Sequence, residues 1–135
     1  MIHEIHKIVR ESEKSRIIIA DSATSLTGEN KNDVVVDASH CGINVGQMMI
    51  AAGVKGMIGN DAGGGLEDAG IAALKLMDEH GIPAAAVSRL SAEIGVGVDT
   101  YYSGVISVAN EAARKLGIRE GMPAREAADR MFENI

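Results

Sequence analysis

Aromatic side chains are almost missing from this chain: one Phe, two Tyr and no Trp among 135 residues. A core without large flat rings has to be closed by Ile, Val, Leu, Ala and Met packed tightly against backbone, which suits helices lying on a sheet. Positive charge is also short, with 13 Lys and Arg against 19 Asp and Glu. Clustered cations and stacking rings are what hold DNA or RNA, so nucleic acid is not an expected partner. The single cysteine, Cys41, excludes an internal disulfide. No apolar run is long enough to cross a bilayer, and the opening MIHEIHKIVR lacks the apolar core of a signal peptide. A cytoplasmic protein with no membrane partner is expected.

What is present is enough for one hydrophobic core. Hydrophobic residues make up 46% and charged residues 24%, a balance that excludes a disordered or fibrous chain, and the length corresponds to a single α/β domain over residues 1–135. The chain carries 16 glycines. Small size, an acidic surface and helices rich in Ala, Met and Gly point to self-association as a homo-oligomer.

Residues 2–14 place Ile2, Ile5, Ile8 and Val9 near one side of a helical wheel and predict an N-terminal helix within residues 1–15. Ile17-Ile18-Ile19-Ala20 and Val34-Val35-Val36 are short apolar β-branched runs, as in strands buried on both faces. The polar stretch between them is too irregular for a crossover helix. Beyond Gly42, with Asn44 as a possible cap, a helix carries Val45, Met48, Met49 and Ala52 and stops at Gly53. Val54 to Gly59 predicts a third strand, Leu66 to His80 a helix, and Ile82 to Val87 a fourth strand. Leu90 to Tyr102 reads as a loop or short hairpin. Helices are then predicted from Ser103 to Leu116 and from Pro123 onward, the latter with Ala124, Ala127, Ala128 and Met131 inward. Alternating strands and helices imply a three-layer α/β/α domain, Rossmann-like, with a mostly parallel sheet of four or five strands.

Open parallel sheets bind ligands beyond the carboxyl ends of their strands, where loops diverge and helix N-termini point inward. The residues at those ends are Asp21 and Ser22, Ser39 and His40, Asn60 and Asp61, and Ser88 and Arg89. Each is polar and chemically competent, although turn and cap roles account equally well for any one of them. His40 is the leading acid/base group, because imidazole moves protons near neutral pH. Asp21 or Asp61 would orient it or share its proton, and Ser22 or Ser39 would supply a hydroxyl. A Ser39–His40 dyad requires a turn between the two residues, since neighbours in a strand point to opposite faces.

Asn60-Asp61-Ala62-Gly63-Gly64-Gly65 precedes a helix and forms a candidate anion cradle from exposed amides. It lacks the Lys and hydroxyl of a phosphate-binding loop, so a carboxylate is the better guest. No dinucleotide fingerprint is present, His3 and His6 lack a third metal ligand, and no cofactor can be named. Cys41 reads first as packing and second as a nucleophile. Ser107, Asn110 and Arg114 form a polar helical stripe, and Tyr101 and Tyr102 lie where a lid or subunit contact could use them.

Ser39-His40-Cys41-Gly42, Asn60-Asp61-Ala62-Gly63 and Ile106-Ser107-Val108-Ala109-Asn110 together resemble a family of small bacterial α/β proteins with SHxG, NDAG and ISxxN-type motifs. The similarity runs from about Asp21 to the C-terminus. The first motif in that family is SHGG, so Cys41 departs from it. The resemblance implies a site around Ser39, His40, Asn60 and Asp61 and carries no assigned reaction. The expectation is a small-molecule-binding protein, with His40 doing acid/base chemistry on a small carboxylate-bearing metabolite as a hydrolase, isomerase or lyase. The alternative is a non-catalytic binding module or one subunit of a larger assembly.

Overall fold

The computed structural model describes residues 6–63 and 71–134. Six strands form one sheet: β1 (His6–Glu11), β2 (Arg16–Ala20), β3 (Val34–His40), β4 (Gly56–Asn60), β5 (Ala84–Val87) and β6 (Ile106–Ala109). Among the described residues there are five helices, α1 (Ile43–Ala52), α2 (Ala72–Glu79), α3 (Gly97–Ser103), α4 (Glu111–Arg114) and α5 (Ala124–Glu133). Strand order in space equals strand order in the chain. β2 to β5 run parallel, whereas β1 and β6 join the two edges antiparallel. The sheet is therefore mixed and has six strands, not the mostly parallel four or five that the apolar runs suggest.

Both edge strands stand where helix was expected. In the N-terminal segment, residues 6–11 pair with β2 through a turn held by the Ser12 amide and the Ser15 carbonyl at 2.8 Å. Ile8 and Val9 have helical spacing with Ile5, but a bulge between Ile8 and Arg10 turns Val9 onto the core. Arg10 donates to Asp129 of α5 at 2.8 Å and to Glu133 at 3.2 Å. Pairing with an already buried strand outweighs the weak helical pattern. At Ile106 to Ala109 the apparent helix is a four-residue strand followed by one short helix, α4, and their apolar positions mimic a helical repeat when read together. The glycine-punctuated segment after β5 also differs, since its second half is α3.

Successive residues of each central strand bury on opposite faces, as the pleat requires. Ile17, Val34, Val36, Ile58, Ala85 and Val87 meet Ala124, Ala127, Ala128 and Met131 of α5. Ile18, Val35, Met57, Ala84 and Ala86 meet Val45, Met49 and Ala52 of α1 and Ala73, Leu74 and Met77 of α2. On this second face α1 and α2 approach closely at Gly46, where a Cβ would stand 3.0 Å from the Ala73 Cα. The β2–β3 connection, two short 3-10 turns at Ala23–Ser25 and Gly28–Asn30, packs Ala23 on the same face. The described parts of all three connections between parallel strands thus lie on one side.

That winding matters for function. A crevice beyond the strand ends opens where neighbouring connections leave for opposite faces, and an unreversed strand order supplies no such point. Here the chain itself crosses the carboxyl ends. Leaving β5, residues 88–97 run back over β4, β3 and β2 before entering α3.

Candidate functional site

The crossing segment is tied down strand by strand. The Arg89 amide donates to Asp61 Oδ1 at 3.1 Å, and Asn60 Nδ2 donates to the Ala92 carbonyl at 3.1 Å. Further along, the Gly95 amide donates to the Ala38 carbonyl at 3.0 Å, and the Gly97 amide donates to Asp21 Oδ1 at 2.9 Å. Gly97 enters this position because a Cβ there would lie 2.5 Å from the Ala20 carbonyl oxygen. Several strand-end residues therefore hold backbone that would otherwise be left without partners. Asn60 is fully buried and also accepts from the Ala62 amide at 2.8 Å.

Between β2, β3 and α1 this segment leaves a cleft of about 400 Å³. Asp21, Ser22, Thr24, Ser39, His40 and Asn44 line it with polar groups, while Val45, Met48 and Ile94 supply apolar wall. Four of the five residues expected to do acid/base or nucleophilic work thus share one cavity. Its volume sits at the small end of ligand pockets, which run from roughly 300 Å³ upward.

A distortion of β3 makes this grouping possible. Val36 pairs with Ile58 and His40 with Asn60, so β3 spends four positions where β4 spends two. Asp37, completely buried, folds the extra residues by accepting from the Ser39 amide at 2.7 Å. Gly59 lies beneath this bulge, and a Cβ there would meet the Cys41 sulfur at 2.6 Å. The bulge leaves His40 exposed at the cleft while Cys41 is buried. It also places Ser39 so that its Oγ accepts from the Ala23 amide at 3.1 Å. Ser22 Oγ is similarly engaged, with the Thr24 amide at 3.2 Å and the Thr24 hydroxyl at 2.9 Å. Among the described residues neither serine is hydrogen-bonded to His40.

Asp61 is not among the residues that line the cleft. Its Oδ2 accepts from the Ser107 hydroxyl at 2.6 Å, and its Oδ1 accepts from the amides of Gly63 and Arg89 at 2.8 and 3.1 Å. Partial burial by itself would raise this carboxyl, but the hydrogen bonds and the Arg89 charge outweigh it and hold the group below its ordinary range. Gly63, with φ of 76°, lies under the Arg89 side chain. Ser88 Oγ accepts from the Leu90 amide at 3.1 Å, a turn role. Gly64 and Gly65, with residues 66–70 of the helix expected over Leu66 to His80, lie outside the described residues.

Cys41 is not placed for nucleophilic work. Burial, together with the Asp37 and Asp61 charges, pushes its thiol well above the usual range. The Ser107–Asn110–Arg114 stripe also dissolves: Ser107 belongs to β6, and Asn110 is buried at the start of α4. Asn110 Oδ1 accepts from the amides of Ala84 and Ala113, and its Nδ2 donates to the carbonyls of Leu74 and Ile82. Tyr101 and Tyr102 meet edge to face on α3, with ring centroids 4.9 Å apart.

Thr24, Met48 and Ile94 also line the cleft and Asp37 shapes it, though none of the four stands out as a site residue in the sequence. A carboxylate directly after three valines was the available signal for Asp37. A larger groove, about 770 Å³, follows α2 beside β6 and is lined by side chains such as Leu74, Lys75, Leu76 and Val108. It gathers none of the strand-end candidates. Among the described residues no group of three or more His, Cys, Asp and Glu is placed to hold a metal ion, and no helix is long and apolar enough to cross a membrane.

Comparison with protein-family models, curated proteins and solved structures gives no match for this chain.

Proposed function

We propose that the cleft at the ends of β2 and β3 binds a small polar metabolite and that His40 exchanges a proton with it. The observation that carries this reading is the meeting of Asp21, Ser22, Ser39 and His40 in one cavity with a partly apolar wall. Imidazole accepts and releases protons near neutral pH, and an exposed ring that shares a cavity with a carboxylate and several hydroxyls can both orient a ligand and exchange a proton with it. In the same proposal the chain is a three-layer α/β/α domain of Rossmann-like type, wound on one side, and is related to proteins carrying SHxG, NDAG and ISxxN motifs. The first of those motifs reaches the cleft, and the other two meet where Asp61 accepts from Ser107.

Both serine oxygens already accept backbone N–H groups, which favours proton transfer by His40 over attack by a serine. Isomerisation or elimination therefore suits the site better than acyl transfer. Asp61 belongs to the scaffold of this site and leaves the proton-sharing role to Asp21. The same engagement of the hydroxyls favours, as a second reading, a binding module without turnover.

A metabolite panel tests the proposal through ligand-induced thermal shifts and turnover in the wild type and His40→Ala. A stabilising ligand whose effect is lost in His40→Ala supports the cleft, and turnover lost with it supports catalysis. Equal shifts in both proteins would remove the cleft from the function.

A further inference from the structure

We infer that the cleft selects a small ammonium-bearing ligand with a short aliphatic body over a carboxylate of the same size. The inference rests on the proposed cleft and goes further by naming its ligand class. Asp21 is the one carboxylate among the described lining residues, and no Lys or Arg lines the cavity with it. Its Oδ1 is fixed by the Gly97 amide at 2.9 Å, so the charge is held in place at the wall by backbone of the crossing segment. A carboxylate guest would meet this fixed negative charge without a permanent cation to offset it, whereas an ammonium group gains a charge-assisted hydrogen bond. The glycine run that suggested an anion does not alter this, since Gly63 is not part of the lining and Gly64 and Gly65 lie outside the described residues.

The rest of the lining defines the body of the ligand. Met48 and Ile94 remain 38% and 49% exposed, and together with Val45 they offer apolar surface within the same cleft. A methylene chain covering them is removed from water, whereas an ammonium ion without a chain leaves them wet. Ser22, Thr24, Ser39 and Asn44 can take up one further polar substituent. A compact aliphatic amine fits this pattern of one negative charge, small polar groups and a short apolar wall.

Butylammonium, 1-butanol and butyrate, titrated separately into the whole chain at neutral pH and followed by backbone amide shifts, test the inference. The expected result is that butylammonium moves the resonances of Asp21, Thr24, Asn44 and Ile94 and binds about tenfold more tightly than butanol, with butyrate weakest. Methylammonium should bind more weakly than butylammonium, a comparison that needs no variant. Asp21→Asn, which keeps an oxygen for the Gly97 amide, should abolish the preference for the amine over the alcohol.

Butyrate binding as tightly as the amine, or equal binding of methyl- and butylammonium, overturns the ligand class. If a metabolite from the wider panel still shifts the cleft resonances in that case, the site stands and only its chemistry is wrong. If neither the four probes nor the panel perturbs these residues, the cleft reading falls with it.

Discussion

Ser107 on β6 donates its hydroxyl proton to Asp61 Oδ2 at 2.6 Å, across the intervening strand β5. The bond joins the loop after β4 to the antiparallel edge of the sheet, while the other Asp61 oxygen holds the amides of Gly63 and Arg89. One half-buried carboxylate thereby fixes the start of the segment that closes the cleft.

Because these donors hold the Asp61 carboxyl below its ordinary value, its contribution to stability is present above the unfolded carboxylate pKa and is lost as the pH falls through the lower, folded value. Ser107→Ala should cost about 1 kcal/mol at pH 7 and move the Asp61 pKa upward. In strong acid the variant and wild type should converge. Urea denaturation from pH 7 to pH 2, with the side-chain carboxyl followed by NMR, checks both effects. An Asp61 pKa unchanged in Ser107→Ala would contradict the assignment.

Cys41 is fully buried, and its thiol is raised above the usual range by burial and by nearby carboxylates. Alkylation of the native protein should therefore be limited by opening of the structure. Labelling by iodoacetamide at pH 8 is expected to be slow in buffer and to accelerate across the urea transition. Fast labelling of the folded chain, at the rate of a free thiol, would show that the cysteine is accessible after all.

Asn110 makes four hydrogen bonds to backbone, drawing together Leu74 in α2, Ile82 in the connection after it, the start of β5 and the first turn of α4. Asn110→Ala leaves two buried amides, one buried carbonyl and one part-buried carbonyl short of a partner, which should destabilise the fold by about 2–4 kcal/mol. Chemical denaturation measures the loss. A change below about 0.5 kcal/mol, the range of an ordinary surface substitution, would refute a bracing role.

Gly97 allows the crossing segment to lie against the end of β2. With a Cβ on this residue 2.5 Å from the Ala20 carbonyl oxygen, Gly97→Ala must push α3 away from the sheet. The expected cost is about 1–3 kcal/mol. Loosening of the Gly97–Asp21 bond should also raise amide exchange at Gly95 and Gly97, the stretch that borders the cleft. Gly28 offers a contrast, since no atom lies within 4 Å of a Cβ placed there, and Gly28→Ala should leave exchange in this segment unchanged.

The amino-acid sequence by itself determined the centre of the fold. β-branched runs at Ile17 to Ile19 and Val34 to Val36, the left-handed stop at Gly53, and the inward alanines of α5 are local features whose burial follows from their own pattern. It also brought forward Asp21, Ser22, Ser39 and His40 through their places at or next to strand ends. The edges were set by pairing, because residues 6–11 and 106–109 become strands against neighbours already in the sheet. The absence of Asp61 from the cleft lining was likewise settled by tertiary structure, as was the presence of Met48 and Ile94 in the same cleft as His40. Those outcomes depend on a bulge two residues long and on a connection that turns back across the strand ends, and both are set by contacts between residues distant in the chain.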